Sequence, residues 1–268
     1  ANGGVACALF SSLNQVDLTV IDVGVSHRFS STDKVVDAKV AFGSRNFLLG
    51  PALEEHACKK AIEAGRKSVL QAKKKGCDSI AFGEMGVGNT TSASAVASAL
   101  LGLHPSLLTG KGSGLSDEEL EHKIGVIEQA LMLHPQRDPF SVLCNLGGYE
   151  SAAICGGLWQ AAELGLPILL DGFVVSSAAL VAARMEPHLV DYLIPCHRSA
   201  MSGHQLMLEA LGKKKPLLEL DMQLGEGTGA LVAWPLVRLA SFILPDMTSF
   251  SLAKVTDSTS VLQELGLV

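Results

Sequence analysis

Asp78-Ser79-Ile80-Ala81-Phe82-Gly83-Glu84-Met85-Gly86-Val87-Gly88-Asn89-Thr90-Thr91-Ser92 joins a short apolar run to a glycine-broken turn with one carboxylate, and then to a polar entry into a small-residue segment reaching Leu101. That order predicts a buried strand, a tight turn and a helix over residues 92–101, capped by Asn89, Thr90 and Thr91. Working outward, comparable apolar runs recur at residues 17–25, 140–146, 167–171, 191–196 and 216–220, with helical periodicity between most of them. Strands alternating with helices predict an α/β fold: a doubly wound, Rossmann-like parallel sheet of about six strands flanked by helices. The clearest helix is expected to open at Gly50-Pro51 and stop at Gly76, with Lys73-Lys74-Lys75 complementing its negative end. Lys213-Lys214-Lys215 reads in the same way, as solvated charge. Residues 30–46 read as a long polar loop near a ligand or a partner subunit.

The composition agrees with helices packed on a buried sheet: 48% of residues are hydrophobic and only 18% charged. A formal net charge of −6 argues against a nucleic-acid partner, which would require a basic surface. The longest apolar region, residues 151–183, is interrupted by Glu163, Asp171, glycines and a proline, so no membrane span is read in it. Cys7, Cys58, Cys77, Cys144, Cys155 and Cys196 lack metal or redox spacing and read as free thiols in a reducing, cytoplasmic setting. Residues 1–8 read as the inside of a small-residue helix from a longer sequence. Residues 16–232 are expected to form the large α/β domain, with residues 1–15 and 233–268 forming a small helical region.

In open α/β sheets ligands bind beyond the carboxyl ends of the strands, which places Glu84 and its glycines at the binding edge. Gly86 and Gly88 allow close backbone approach, and the helix start offers N–H groups to a phosphate. By itself the pattern is equally a tight strand-to-helix turn. Thr109-Gly110-Lys111-Gly112-Ser113-Gly114 forms a second glycine-rich loop, followed by an N-cap at Ser116 with acidic residues in the first turn and Lys123 further along the helix. Leu224-Gly225-Glu226-Gly227-Thr228-Gly229-Ala230 sets a lone carboxylate before an apolar helix over residues 230–243, as a helix-terminal cap or as a reactive group. Asp22 and Asp171 end strands, where they either orient a ligand hydroxyl or cap a turn. Gly147-Gly148-Tyr149-Glu150 is either a third ligand loop or another strand-to-helix turn. His27, His197 and His204 lack metal-ligand spacing, so no metal site is read.

Together, Val20-Ile21-Asp22-Val23-Gly24-Val25, Gly83-Glu84-Met85-Gly86-Val87-Gly88-Asn89-Thr90-Thr91, Gly147-Gly148-Tyr149-Glu150, Leu170-Asp171-Gly172-Phe173 and Leu224-Gly225-Glu226-Gly227-Thr228-Gly229-Ala230 resemble the nicotinate-nucleotide:dimethylbenzimidazole phosphoribosyltransferase family, in the family's order and over nearly the whole chain. The resemblance implies a homodimer with a large Rossmann-like domain and a small helical one built from both chain ends. It implies transfer of ribose 5-phosphate from nicotinate mononucleotide to 5,6-dimethylbenzimidazole or a similar base. By resemblance Glu226 is the catalytic base and Glu84 lies in the same site, while Met85, Gly86, Gly88, Asn89, Thr90, Gly112, Ser113, Gly114, Lys123 and Gly225 bind substrate. The implied chemistry requires neither metal nor redox cofactor. Family members carry further sequence upstream of residues 1–9 that contacts the benzimidazole, so an acceptor pocket only partly built by these residues is expected. Two other readings stay open at the level of sequence: a non-catalytic nucleotide-binding paralogue of the same fold, and a nucleosidase-like hydrolase.

Overall fold

The computed structural model describes residues 5–30, 33–112, 114–253 and 258–267. Two compact units emerge, residues 1–233 and 234–268. The first opens with helix α1 (Ala6–Asn14), then strands β1 (Val20–Asp22) and β2 (Val35–Asp37), helix α2 (Glu55–Lys74), strand β3 (Ile80–Ala81) and helix α3 (Asn89–Leu101). Helices α4 (Asp117–Leu133), α5 (Pro139–Leu146) and α6 (Tyr149–Glu163) follow, then β4 (Ile168–Leu170), α7 (Phe173–Met185), β5 (Leu193–Pro195), β6 (His197–Ser199), α8 (His204–Ala210) and β7 (Leu218–Met222). Helix α9 (Thr228–Ser241) begins in this unit and its last residues belong to the second, which continues with α10 (Ile243–Asp246), α11 (Phe250–Ala253) and α12 (Ser258–Glu264).

Every strand pairing among the described residues is parallel, as the alternation predicted, but the ladders are short and divided. β1 pairs with β2, β3-β4-β5 form a three-stranded sheet, and β6 pairs with β7. The last two ladders meet at Cys196: its amide donates to Leu170 O at 3.0 Å, while Leu217 N donates to Pro195 O at 2.9 Å. β5 and β6 thus hand the ladder from one side to the other along a single extended run. Helix α6 packs on β4, α2 and α7 pack on α6, and α3 packs on α7; Ile168, Leu170, Ala178, Ala179 and Val181 are wholly buried in the core.

Four local expectations are corrected. Residues 140–146 are helix α5: Pro139 occupies its first turn and the Asp138 carboxylate accepts the Ser141 amide at 2.9 Å. A short apolar run suits a buried helix as well as a strand, and here the cap decides. As a result, Gly147-Gly148 is a helix-to-helix turn. Helix α2 begins at Glu55, not at Pro51, because the Ala52 and Leu53 amides donate to Asn145 O and Cys144 O at 3.1 and 2.8 Å, which holds that segment against the end of α5. The polar segment 30–46 contains β2, paired from Val20↔Val35 to Asp22↔Asp37. Helix α3 begins at Asn89 behind a left-handed Gly88 (φ +83°), with no side-chain cap.

The six cysteines are free thiols, with Cys58, Cys144, Cys155 and Cys196 buried. Among the described residues, the helical run over residues 228–246 is long and apolar enough to cross a membrane by length and composition, although Pro235 and Arg238 interrupt it.

Helices α2 and α6 touch backbone to backbone. A Cβ on Gly65 would fall on the Ala153 carbonyl, and one on Gly156 on the Ile62 carbonyl. Replacing helical Gly by Ala gains about 1 kcal/mol in propensity, whereas forcing a methyl group into packed backbone costs about 1–3 kcal/mol. Gly156→Ala is therefore expected to lower the urea midpoint. Gly125→Ala in α4, where an added Cβ meets nothing within 4 Å, should raise it.

Candidate active site

The site lies where the segments following β3, β4 and β7 meet. Gly83 follows β3 and presses on the turn after β7 so closely that a Cβ there would overlap the Glu226 carbonyl and the Gly227 nitrogen. The next residue is Glu84, and a Cβ on Gly225 would sit 3.3 Å from Glu84 Oε1. The two carboxylate-bearing loops are thus in backbone contact. Glu226 itself is left-handed (φ +59°), between Gly225 (φ +66°) and Gly227 (φ +77°). Three successive residues of this kind form a compact turn that presents the one side chain they carry.

Asp171, at the end of β4, supports the turn from below. Its carboxylate accepts the Gly227 amide through Oδ2 and the Ala230 amide through Oδ1, both at 3.1 Å. Asp171 therefore does the capping at the start of α9, and Glu226 is free of that role. From α1, the Cys7 thiol donates to Glu226 Oε2 at 3.3 Å. Asp22 is satisfied locally: it accepts the Gly24 and Val25 amides at 3.0 and 2.9 Å and pairs with Lys39 at 2.5 Å.

Asn89 and Thr90, two of the three residues expected to cap α3, have other partners. The Asn89 side-chain amide donates to the Glu84 carboxylate, and the Ser92 hydroxyl to Leu146 O. Lys123 reaches from α4 to donate to Thr90 Oγ1 at 2.9 Å. Burial pulls its ammonium below the usual lysine range, and no carboxylate lies within ion-pair distance of it among the described residues. A half-buried cation beside a helix N-terminus favours an anionic ligand. Burial, with the charges of Glu150 and Asp171 and, more weakly, Glu226, pushes the Glu84 carboxyl up to about 7, against the opposing pull of the Asn89 amide.

A cleft of about 170 Å³ adjoins these groups, between Gly86–Asn89, Ser92, the 44–47 segment and Gly147, Gly148 and Glu150. Met85 and Val87 project into solvent at 77% and 109% exposure, which leaves apolar surface open beside the carboxylates.

A family profile described as phosphoribosyltransferase matches residues 1–255. The nicotinate-nucleotide–dimethylbenzimidazole phosphoribosyltransferase of Dechloromonas aromatica (strain RCB) is 44% identical over 95% of this chain and 74% of its own length. The enzyme of the same name from Chlorobium chlorochromatii (strain CaD3) is also 44% identical, over 96% of this chain and 73% of its own length. The crystal structure of CobT from Thermus thermophilus superimposes with a TM-score of 0.90 at 41% identity, over 95% of this chain and 76% of that one. The chain belongs to the nicotinate-nucleotide:dimethylbenzimidazole phosphoribosyltransferase family.

Of the residues predicted for this phosphoribosyltransferase site, the structure brings together Glu84, Glu226, Gly225 and Asn89, links Thr90 to Lys123, and places Gly86 and Gly88 along the cleft. Gly112 and Gly114 lie in a separate turn closed by the Gly114 and Leu115 amides on Lys111 O. Ser113 falls outside the described residues. Ser44 and Arg45, in the 30–46 segment expected near a ligand or a partner subunit, line the cleft without having been singled out; Phe47 and Ser92 were missed, and Glu150 and Asp171 left undecided. A Gly-Ser-Arg-Asn string in a polar loop was the available signal for the first two.

The raised Glu84 pKa has a defined sign in stability. The folded state holds the proton from the ordinary value of 4.5 up to about 7, so stability falls as pH rises through that window and the full penalty is present above it. Glu84→Gln removes the titration. Its melting temperature should match the parent's near pH 4.5 and exceed it increasingly up to pH 7.5; parallel curves across that range would contradict the assignment.

Proposed function

We propose that this chain transfers ribose 5-phosphate from nicotinate mononucleotide to 5,6-dimethylbenzimidazole or a closely similar base, releasing nicotinate and forming α-ribazole 5′-phosphate. The observation that carries this reading is the backbone contact between the Glu84 and Glu226 loops, in a chain 44% identical to two proteins named for this reaction.

Nicotinate in its mononucleotide is already a pyridinium, so it departs with the bonding electron pair as a neutral ring and needs no general acid. The benzimidazole must lose its N–H proton as its other nitrogen attacks the ribose carbon. Glu226 is the base for that proton, held at Oε2 by the Cys7 thiol. Glu84 faces the same space, and a pyridinium or an oxocarbenium-like ribose carbon beside it would draw off its proton and be stabilised by the resulting charge. Lys123, Thr90 and the start of α3 hold the 5′-phosphate, with Gly86, Gly88, Asn89, Gly112, Ser113 and Gly114 completing the substrate-binding set. The cleft alone is smaller than the ~300–1,000 Å³ usual for small-molecule sites, so the nucleotide extends over the open floor beside Met85 and Gly225.

The same reading takes residues 16–232 as the catalytic domain, with residues 1–15 and 233–268 as a smaller helical region, in a cytoplasmic homodimer. The free cysteines are in keeping with a reducing compartment. Exposed Leu236, Leu239, Phe242, Ile243 and Leu244 offer a surface for a second copy to cover.

Incubation with nicotinate mononucleotide and dimethylbenzimidazole, followed by product identification, tests the reaction. α-Ribazole 5′-phosphate is expected; free ribose 5-phosphate would indicate hydrolysis, and unchanged substrates a binding protein. Glu226→Gln should lose ~10²–10⁴-fold in kcat while still binding the mononucleotide, and a rate within a few-fold of the parent would remove it from the base role. Lys123→Ala should raise KM for the mononucleotide by roughly 10- to 10²-fold, as loss of a charge-assisted hydrogen bond of ~1.5–3 kcal/mol implies, and leave affinity for the unphosphorylated riboside unchanged.

A further inference from the structure

We propose that Asp171 and His197 are positioning residues for Glu226, acting together to hold the left-handed turn from which the base projects. The inference rests on the reading of Glu226 as the base.

A carboxylate-bearing residue between two glycines, all three at positive φ, keeps that conformation only if its surroundings over-determine it. The Gly83 contact bounds the turn on one side. On the other, Asp171, 2% exposed, uses both carboxylate oxygens on the turn and the start of α9, accepting the amide immediately after Glu226 and that of Ala230. His197, 4% exposed, sets Nε2 3.5 Å from Asp171 Oδ1. Its ring fills the space that a Cβ on Gly229 would need, and lies 3.2 Å from the Cβ position of Gly172. The imidazole is therefore gripped between the residue after Asp171 and the first turn of α9.

His197 Nδ1 is buried with no hydrogen-bond partner among the described residues. An orphaned buried ring nitrogen is costly, which argues that Asp171 and the packing fix the ring, and not a wider polar network. The neighbouring His204 is differently employed. Its Nδ1 accepts the Ser199 amide at 2.8 Å, so the proton resides on Nε2, which donates to Ser176 Oγ at 2.9 Å. Burial brings His204 down to about 4 and keeps it neutral. The groups that sense the charge of Asp171 are Glu84, Cys196, His204 and His197.

Asp171→Asn preserves shape, but its carboxamide cannot accept both amides, because one end of it is itself a donor. With Glu226 misplaced, kcat is expected to fall on the order of 10–10²-fold, while KM for nicotinate mononucleotide stays within threefold and the mononucleotide still raises the melting temperature. The Glu84 carboxyl should titrate at lower pH in Asp171→Asn, because a negative neighbour has gone. Gly229→Ala leaves both carboxylates intact and displaces only the His197 ring, so a similar kcat-selective loss is expected, and this variant keeps the proposal testable if Asp171→Asn does not fold. Since both residues act through the base, adding Asp171→Asn or Gly229→Ala to Glu226→Gln should cost nothing more. Parent kcat in either single variant, or losses that add fully to that of Glu226→Gln, would overturn the positioning role. If instead Glu226→Gln itself turns over normally, the base assignment fails, and that outcome is read from this control alone.

Discussion

The contact of Gly83 with the Glu226–Gly227 backbone is the constraint on which the site depends. Only a hydrogen atom fits on the Gly83 α-carbon at that point. Its effect is to bring the end of β3, which the chain reaches early, against the turn after β7, which it reaches nearly 150 residues later. Neither carboxylate means much alone. With the two loops in contact, a reacting group has one acidic side chain that projects from a rigid turn and another held by Asn89.

The electrostatics follow from that crowding. Glu84, Glu150 and Asp171 share a partly desolvated region, and burial raises Glu84 and Glu150 above the ordinary carboxylate range. Carboxylates so placed favour a ligand that brings positive charge or releases a proton. Lys123 sits on a different helix, beside Thr90, where a phosphate would meet it. The arrangement thus sets an acidic floor beside a cationic corner. Asp22 makes the contrast: also buried at a strand end, its charge is satisfied by Lys39 and by its own turn, so it steadies structure instead of chemistry.

Helix packing explains why the short strands suffice. The α2 and α6 backbones meet at Gly65 and Gly156, and α7, rich in alanine and valine, is buried along nearly its whole length. Small residues let the helices close over a three-stranded sheet whose strands are only two to three residues long. The functional loops can then be irregular and open, as the exposed Met85 and Val87 are, because the scaffold beneath them is rigid.

The sequence by itself determined the α/β alternation, the parallel pairing and the two glycine-flanked carboxylates, because these depend on local periodicity and on glycine at positions that no other residue tolerates. It also located Lys123 in a helix opened by the Ser116–Glu119 capping box, a signal that is wholly local. It misread residues 140–146, where strand and helix patterns coincide in a short apolar run and the deciding signal was the Asp-Pro cap just outside it. Only the tertiary structure decided the rest. Asn89 and Thr90 look like caps to any local rule, yet Asn89 turns back to Glu84 within its own loop and Thr90 to Lys123, which arrives from another helix. Asp171 looks like the end of its own strand, but it caps a helix that begins 57 residues later. A hydrogen bond between residues distant in sequence leaves no spacing to be read in a single chain. It exists only once folding has brought its two ends within 3 Å or so.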